Sequence, residues 1–589
     1  MANGFGSMFI GVAGLQSSQQ ALNVTSNNLA NLNTTGYVRQ SVLFADRDYV
    51  TTSTSAAIGK QQSGLGVTIG DVVHTRDVFL DRLYRTQTSR QSFYSATSEA
   101  LNEVTNYYQE LEGQAFQNSL KDFWESFQEL YKYPEDSVYQ NLVIQKAQLF
   151  TSRSSAVYSG FKSYQYNINT QIRDDIDQIN ELGKTISELN LYIQKTEAGN
   201  VETAMTMRDA RDQALDELSN LVDISYTEDV NGVVRVSIEG NEFVNENGYY
   251  KVETQTDKIT GFVTPYWSHL SDSDKGEYTY LFDFNRDISM ENKNDMGELK
   301  ALVLARGGKV ANYLDIEGID AKTYNDTTGM SVMLRAEAQM DQLFHTIATS
   351  INDILCPNTE ASNYISSLTG NNTVTMTDAD GNAYTVGADT KILDMDNCAT
   401  GADGKLPPQE LFTRLGTERY TEVTYTDTSA NPPTTKTYYL YNEEDPADTT
   451  KQYTMISTSV NDALVTDETL FPHLQQNGDV DQSLVTALAG IWDKECLTVS
   501  PNDGKMYSFK DYYAAMMGET ATYGNVYESA ATDLSQTVQS VDNQRQQVIG
   551  VSSDEELTYM IKYQNAYNAS SRFINVINEM IEHLITQLG

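Results

Sequence analysis

The chain has 589 residues, with 81 acidic side chains against 40 Lys and Arg and a formal net charge of −41. Such a charge repels nucleic acid and anionic membranes, so neither is expected as a partner. No run of about twenty apolar residues exists to insert into a bilayer. Cys356, Cys398 and Cys496 stand far apart without a C-x-x-C pair, which argues against a disulfide framework and a zinc cluster.

The first segment reads as an amphipathic helix. Met8, Leu15, Leu22 and Leu29 recur every seven residues among Ser, Gln, Asn and Thr. Its polar face carries amides and hydroxyls instead of full charges, which lowers the cost of covering it with protein. Arg39 is the first charged residue, and no basic start with a cleavage site precedes it, so secretion without a cleaved signal peptide is expected. The glycines of 64–70 have the wrong spacing for a dinucleotide fingerprint and read as turns toward the next segment.

From 79 to 221 the periodicity predicts bundle helices. Leu101, Val104, Tyr108 and Leu111 mark one, and Phe123, Phe127 and Leu130 the next. Pro134 breaks the pattern, and Asp136-Ser137 can cap a helix through Leu142, Ile144 and Leu149; Ile172 to Leu189 predicts a further one. From Ile224 the period becomes two, with hairpin signals at Asn231-Gly232 and Asn247-Gly248. Helical spacing returns over 296–304 and 330–355. The stretch 358–479 is rich in Thr, Asp, Asn and Tyr and alternates around Asn431-Pro432-Pro433, as an inserted β domain would. A helix over 530–548 precedes the last one.

That last helix opens with capping-box spacing at Ser553 and Glu556. Its stripe runs through Met560, Tyr563, Tyr567, Ile574, Ile577, Ile581, Leu584 and Leu588, over about 55 Å at roughly 1.5 Å per residue. An isolated helix is marginal, so the two terminal stripes are most simply partners for each other. The fold class expected is α+β, mainly α with β insertions. Residues 1–75 with 550–589 would form a terminal helical stalk of coiled-coil-like helices. Residues 76–355 with 490–549 would form a long-helix bundle with a small β subdomain near 224–290, and 356–489 an inserted β-rich surface domain.

The run Ser26-Asn27-Asn28-Leu29-Ala30-Asn31-Leu32-Asn33-Thr34-Thr35-Gly36-Tyr37 resembles the signature of the rod, hook and hook-associated axial proteins of the bacterial flagellum. Val38-Arg39-Gln40 is similar to the hook-associated branch, and Tyr563 to Ser570 to the family's C-terminal motif. Asp122-Phe123-Trp124, Val143 to Ala147 and Arg208 to Leu221 look like its bundle. Thr35 departs from the proline common in relatives. The resemblance implies a structural, non-enzymatic subunit that forms the junction between hook and filament and is required for filament assembly. It also implies assembly-interface residues Met8, Leu15, Leu22, Leu29, Asn31, Gly36 and Tyr37 at one end, and Tyr563, Tyr567, Ile574, Ile577, Ile581, Leu584 and Leu588 at the other. The implied partners are other copies in a ring, the hook protein, hook-associated protein 3, an export chaperone on the C-terminal helix and the flagellar type III export apparatus, with an extracellular flagellar location.

Other chemistry finds little footing. His74, His269, His345, His473 and His583 show no metal-binding spacing. Asp378-Ala379-Asp380-Gly381-Asn382 lacks the later ligands of a calcium loop and reads as a turn. No cofactor, metal or catalytic residue is nominated. The competing readings are the hook protein itself, an adhesin acting through the 358–479 segment, and a glycosidase-like carboxylate pair hidden there.

Overall fold

A computed structural model describes residues 2–34, 36–55, 59–109, 116–199, 203–286, 288–427 and 433–588. Twelve α-helices occur among them: α1 (Ala2–Ala30), α2 (Val78–Gln109), α3 (Phe116–Lys132), α4 (Ser137–Glu197), α5 (Met205–Leu221), α6 (Glu298–Arg306), α7 (Ala321–Asp326), α8 (Val332–Leu355), α9 (Asp462–Thr466), α10 (Gln482–Gly490), α11 (Phe509–Ile549) and α12 (Ser553–Leu588). The expectation at Thr35 and those at Leu111 and at Asn431-Pro432 lie outside the described residues.

The spine of the body is α4. Sequence reading expects two helices here, yet one helix of 61 residues runs through. Pro134 and the Asp136 side chain, which accepts from Val138 N at 2.9 Å, set its start. No glycine or proline strong enough to end it follows, and Val143, Ala147, Phe150, Val157, Phe161, Ile168, Ile172, Ile179, Ile186 and Ile193 keep a buried stripe at helical spacing. Aromatic rings join the layers. Phe150 stacks on Phe123 of α3 at 5.4 Å and on Phe344 of α8 at 5.5 Å, and Trp492 meets Phe123 edge-on at 5.5 Å. The central helix is α8, buried on most sides. The helix expected over 530–548 begins much earlier, at Phe509, and packs along α2.

The strands of 224–267 lie on α4 as a four-stranded antiparallel sheet and a two-stranded ribbon. Both predicted turns are present, with Gly232 at φ 78° and Gly248 at φ 155°. Three buried asparagines of α4 dock these strands. Asn180 donates to Val252 O and accepts from Val252 N, both at 2.9 Å; Asn190 does the same with Val234, and Asn169 accepts from Val263 N. The amides satisfy edge groups that burial would otherwise leave unpaired.

Segment 356–489 is less uniform than its composition suggests. Strands between Asn358 and Tyr441 form a six-stranded sheet with its own small core of Ile365, Met376, Val386, Ile392, Val423 and Tyr438. Leu411, Phe412, Tyr453, Met455, Leu464 and Phe471 instead join the main core. The Asp378–Asn382 stretch is the turn of a hairpin, with Gly381 at φ 86°. Among the described residues, no helix is long and apolar enough to cross a membrane.

Candidate assembly interface

The terminal helices α1 and α12 pack along each other. Gly11 lies against Ile574, Gly14 against Ser570 and Asn28 against Glu556, so they run antiparallel. The close seam on α1 is not the leucine stripe. It is Gly11, Gly14, Ser18, Ala21, Thr25 and Asn28, small or polar residues at alternating three- and four-residue steps, while Met8, Leu15, Leu22 and Leu29 are half-buried beside it. Small residues win the seam because they let the backbones approach: a Cβ on Gly11 would stand 2.8 Å from Ile574 Cγ1, and one on Gly14 2.8 Å from Ser570 Oγ. On α12, Tyr563, Tyr567, Ile574, Ile577 and Ile581 are half-buried at coiled-coil spacing. Leu584 points outward, 51 % exposed. The side chain of Leu588 is outside the described set.

The stalk is not all helix. The glycine run 64–70, read as turns, instead belongs to a β arm of two antiparallel strand pairs, Gln40–Asp46 with Val67–His74 and Tyr49–Ser55 with Gly59–Gly64. This arm flanks α1: Ser17 Oγ donates to Val67 O at 3.1 Å, and Phe44 reaches Tyr563 of α12 at 6.0 Å between ring centroids.

The signature turn locks these parts together. Asn28 Oδ1 accepts from Tyr37 Oη at 2.8 Å and Gln40 N at 3.1 Å, and Asn28 Nδ2 donates to Gln40 O and to Glu556 Oε2. Asn31 caps the turn through Thr34 Oγ1, and Gly36, at φ 78°, sits against Gln213. Tyr37 is pushed up to about 12 by burial, with Asp209 and Glu556 adding to it. Glu556, expected to form a capping box with Ser553, is turned instead to Asn28 and to Arg39 Nε at 2.8 Å. The cap lies one residue earlier than expected: Ser552 Oγ accepts from Glu555 N at 3.5 Å, so Ser553 and Glu556 are out of capping register. Sequence reading missed Asn28, Arg39 and Glu556 as a connected set; the one available signal was a carboxylate following an otherwise acid-tolerant first turn.

A buried ionic cluster joins stalk to body. Arg39 N donates to Ile549 O, and Val38 N to Asp209 Oδ2 at 3.3 Å. Arg76 pairs with Asp212 and Asp81, Arg85 with Asp216 and Asp212, and Arg545 with Asp81 and Asp216. Burial pushes the Asp209 carboxyl up to about 7 and, with Arg76, the neighbouring His74 imidazole down to about 4. Among the described residues, no group of three or more His, Cys, Asp or Glu could hold a metal.

The chain matches known families in three places. The flagellar hook-associated protein FlgK helical domain matches 101–362, the flagella basal body rod protein 8–37, and the flagellar basal body rod FlgEFG protein C-terminal region 536–588. Flagellar hook-associated protein 1 of Bacillus subtilis is 25 % identical over 98 % of this chain and 96 % of its own length. That of Escherichia coli is 24 % identical over 98 % of both. The hook protein FlgE of Treponema pallidum is 40 % identical, over only 12 % of this chain and 17 % of its own. The flagellar hook junction protein FlgK from Burkholderia pseudomallei superposes with a TM-score of 0.45 at 14 % identity, over 79 % of this chain and 99 % of its own; the assignment does not rest on it. The paired ends, the signature turn and these matches define an axial protein of the bacterial flagellum. Within that class the chain belongs to the flagellar hook-associated protein 1 (FlgK) family and is a structural component of the flagellum.

Proposed function

We propose that the protein forms the junction between hook and filament through its terminal helices, with no catalytic activity, and that filament assembly on the hook requires it. The observation that carries this reading is the outer surface of the helix pair. Ile561, Val576, Met580 and Ile585 are 60 %, 51 %, 61 % and 67 % exposed on α12, and Phe9 is 59 % exposed on α1. Of these, Val576 and Met580 continue into Leu584 at four-residue steps and form an apolar stripe on α12 turned away from its seam with α1. An exposed apolar stripe of this kind fits a contact surface, and other copies of the chain in a ring are its natural cover. Met8, Leu15, Leu22 and Leu29, half-buried beside the seam, fit the same role. The hook protein, hook-associated protein 3, an export chaperone on α12 and the type III apparatus are proposed partners on the family's account, with secretion free of a cleaved signal.

The test is complementation of cells lacking the native protein. A chain without 560–589 should shed filament subunits into the medium and fail to swim, while the intact chain restores both. Filaments on cells carrying the truncation would overturn the reading. The hook-protein alternative is disfavoured by the match to the hook-associated helical domain over 101–362.

A further inference from the structure

The terminal helices and the β arm enclose a groove of about 650 Å³ beside the glycine seam. Ile10, Gly11 and Gly14 of α1 form one side, Phe573 of α12 another, and Tyr49 and Val67 of the arm the third. Gly11 and Gly14 have no side chain, so the groove reaches down to the α1 backbone there. Its apolar walls face water: Ile10 is 37 %, Phe573 42 % and Tyr49 66 % exposed. Phe573 leads at a three-residue step into Val576, and so into the exposed stripe of Val576, Met580 and Leu584.

A matching knob stands on the same helix. Phe9 is 59 % exposed. At about 100° per residue it points roughly 140 to 160° around α1 from Gly11 and Gly14, away from the seam. It lies no more than about 8 Å along the axis from the α1 residues that line the groove, at ~1.5 Å per residue. Knob and groove therefore stand at one height on different sides of the stalk, which suits a head-to-tail contact between copies side by side; repeated by rotation, such a contact closes a ring. Charge selects the same occupant. The chain carries −41 overall, yet α1 has no charged side chain, and the groove's rim has one of each sign, Asp46 and Arg47. The α1 helix of a second copy enters without the repulsion that an acidic surface would meet there from the rest of the chain, and a benzyl side chain leaves water without giving up the hydration of a charge. We propose, resting on the junction reading above, that Phe9 of one copy seats in the groove of the next, between Ile10, Tyr49 and Phe573, and holds neighbouring stalks at one height.

The experiment complements cells lacking the native protein with full-length chains carrying Cys496→Ser, so that the remaining native thiols, Cys356 and Cys398, are both buried. To this background are added Phe9→Cys with Tyr49→Cys, Phe9→Cys with Phe573→Cys, and each substitution singly. Isolated flagella are oxidised with copper phenanthroline and separated without reductant. Each pair should give a ladder of dimers and higher multiples, and the single substitutions no ladder. In parallel, Phe9→Leu should keep filaments, while Phe9→Glu should lower filament number at least tenfold although its chain still reaches the medium and melts like the parent. Swimming cells whose paired cysteines give no ladder overturn the contact and leave the junction reading standing, as do normal filaments on cells carrying Phe9→Glu. Cross-links to a different flagellar protein give the groove another occupant and equally overturn it. Failure of the intact chain to restore filaments overturns the junction reading itself.

Discussion

Asn28 of the N-terminal helix donates to Glu556 of the C-terminal helix at 3.1 Å, and both side chains are almost fully buried, 528 residues apart in sequence. Glu556 also holds Arg39, so a single carboxylate ties together α1, the turn after it and α12. Glu556→Ala would leave Asn28 Nδ2 with Gln40 O as its one acceptor and Arg39 with only the exposed Glu555 as an ionic partner. Removing one partner of a buried pair costs roughly 3 to 5 kcal/mol; the remaining Glu555 contact places this case near the lower end. Hydrogen exchange should show loss of protection along α12 with the body unchanged. Unaltered exchange in α12 would mean the tie is dispensable.

The glycine seam makes a second, steric prediction. Gly14→Leu places a branched side chain where even a Cβ meets Ser570 Oγ at 2.8 Å. Overpacking of this kind costs roughly 1 to 3 kcal/mol, although leucine is the better helix former. The helix pair should melt at lower temperature than in the parent, read from circular dichroism of the full chain as an earlier partial transition. Leu15→Ala, beside the seam and half-buried, should leave that transition nearly in place.

Much of this was legible from sequence. Both terminal helices, the break at Pro134, the hairpin turns at Gly232 and Gly381 and the helix at 332–355 follow from period and turn chemistry. The seam was not, because heptad reading follows leucine, and Gly11, Gly14 and Ala21 carry no apolar signal of comparable weight. The β arm of 40–74 was hidden because one of its strand pairs, Tyr49–Ser55 with Gly59–Gly64, is mostly polar, and both registers shift, at Leu43/Phe44 and Thr51/Ser53. The unity of α4 was hidden by its polar residues at 162–170, of which Asn169 docks a strand through Val263 N. The ionic joint was out of reach: Asp81, Asp212, Asp216 and Arg545 meet only after three helices, α2, α5 and α11, fold together.

The same unevenness predicts the outcome of removing the β-rich segment. Deleting 358–479 would take away the outer sheet together with Leu411, Phe412, Tyr453, Met455, Leu464 and Phe471, which fill the main core beside Phe123 and Phe344. At about 1.5 to 3 kcal/mol for each large apolar side chain, the loss rivals the roughly 5 to 15 kcal/mol that stabilises a domain. The deletion should yield insoluble chain. Excising only the hairpin 374–386 and rejoining its ends should leave a soluble body with near-parental melting, since Met376 and Val386 belong to the small separate core. A folded 358–479 deletion would show that the body closes without these side chains.

Glu337 makes the body's stability depend on pH. Burial pushes its carboxyl up to about 8, although Oε2 accepts from Ala311 N at 2.9 Å. Its Oε1 has no partner, and neither has the Oε1 of Gln165 beside it, whose Nε2 donates to Arg306 O. A proton on Glu337 removes the charge that burial penalises, which is why the neutral form suits the fold. The folded-state value lies above the unfolded one, near 4.5, so the folded chain binds the extra proton between them. Stability from this group is then full below about pH 4.5 and is lost as pH rises through about 8. Glu337→Gln keeps an acceptor for Ala311 and carries no charge at any pH. Denaturant unfolding from pH 5 to 8.5 should show the parent weakening and the variant weakening less, so that the difference between them grows with pH. Curves that stay parallel across the window would place the proton elsewhere.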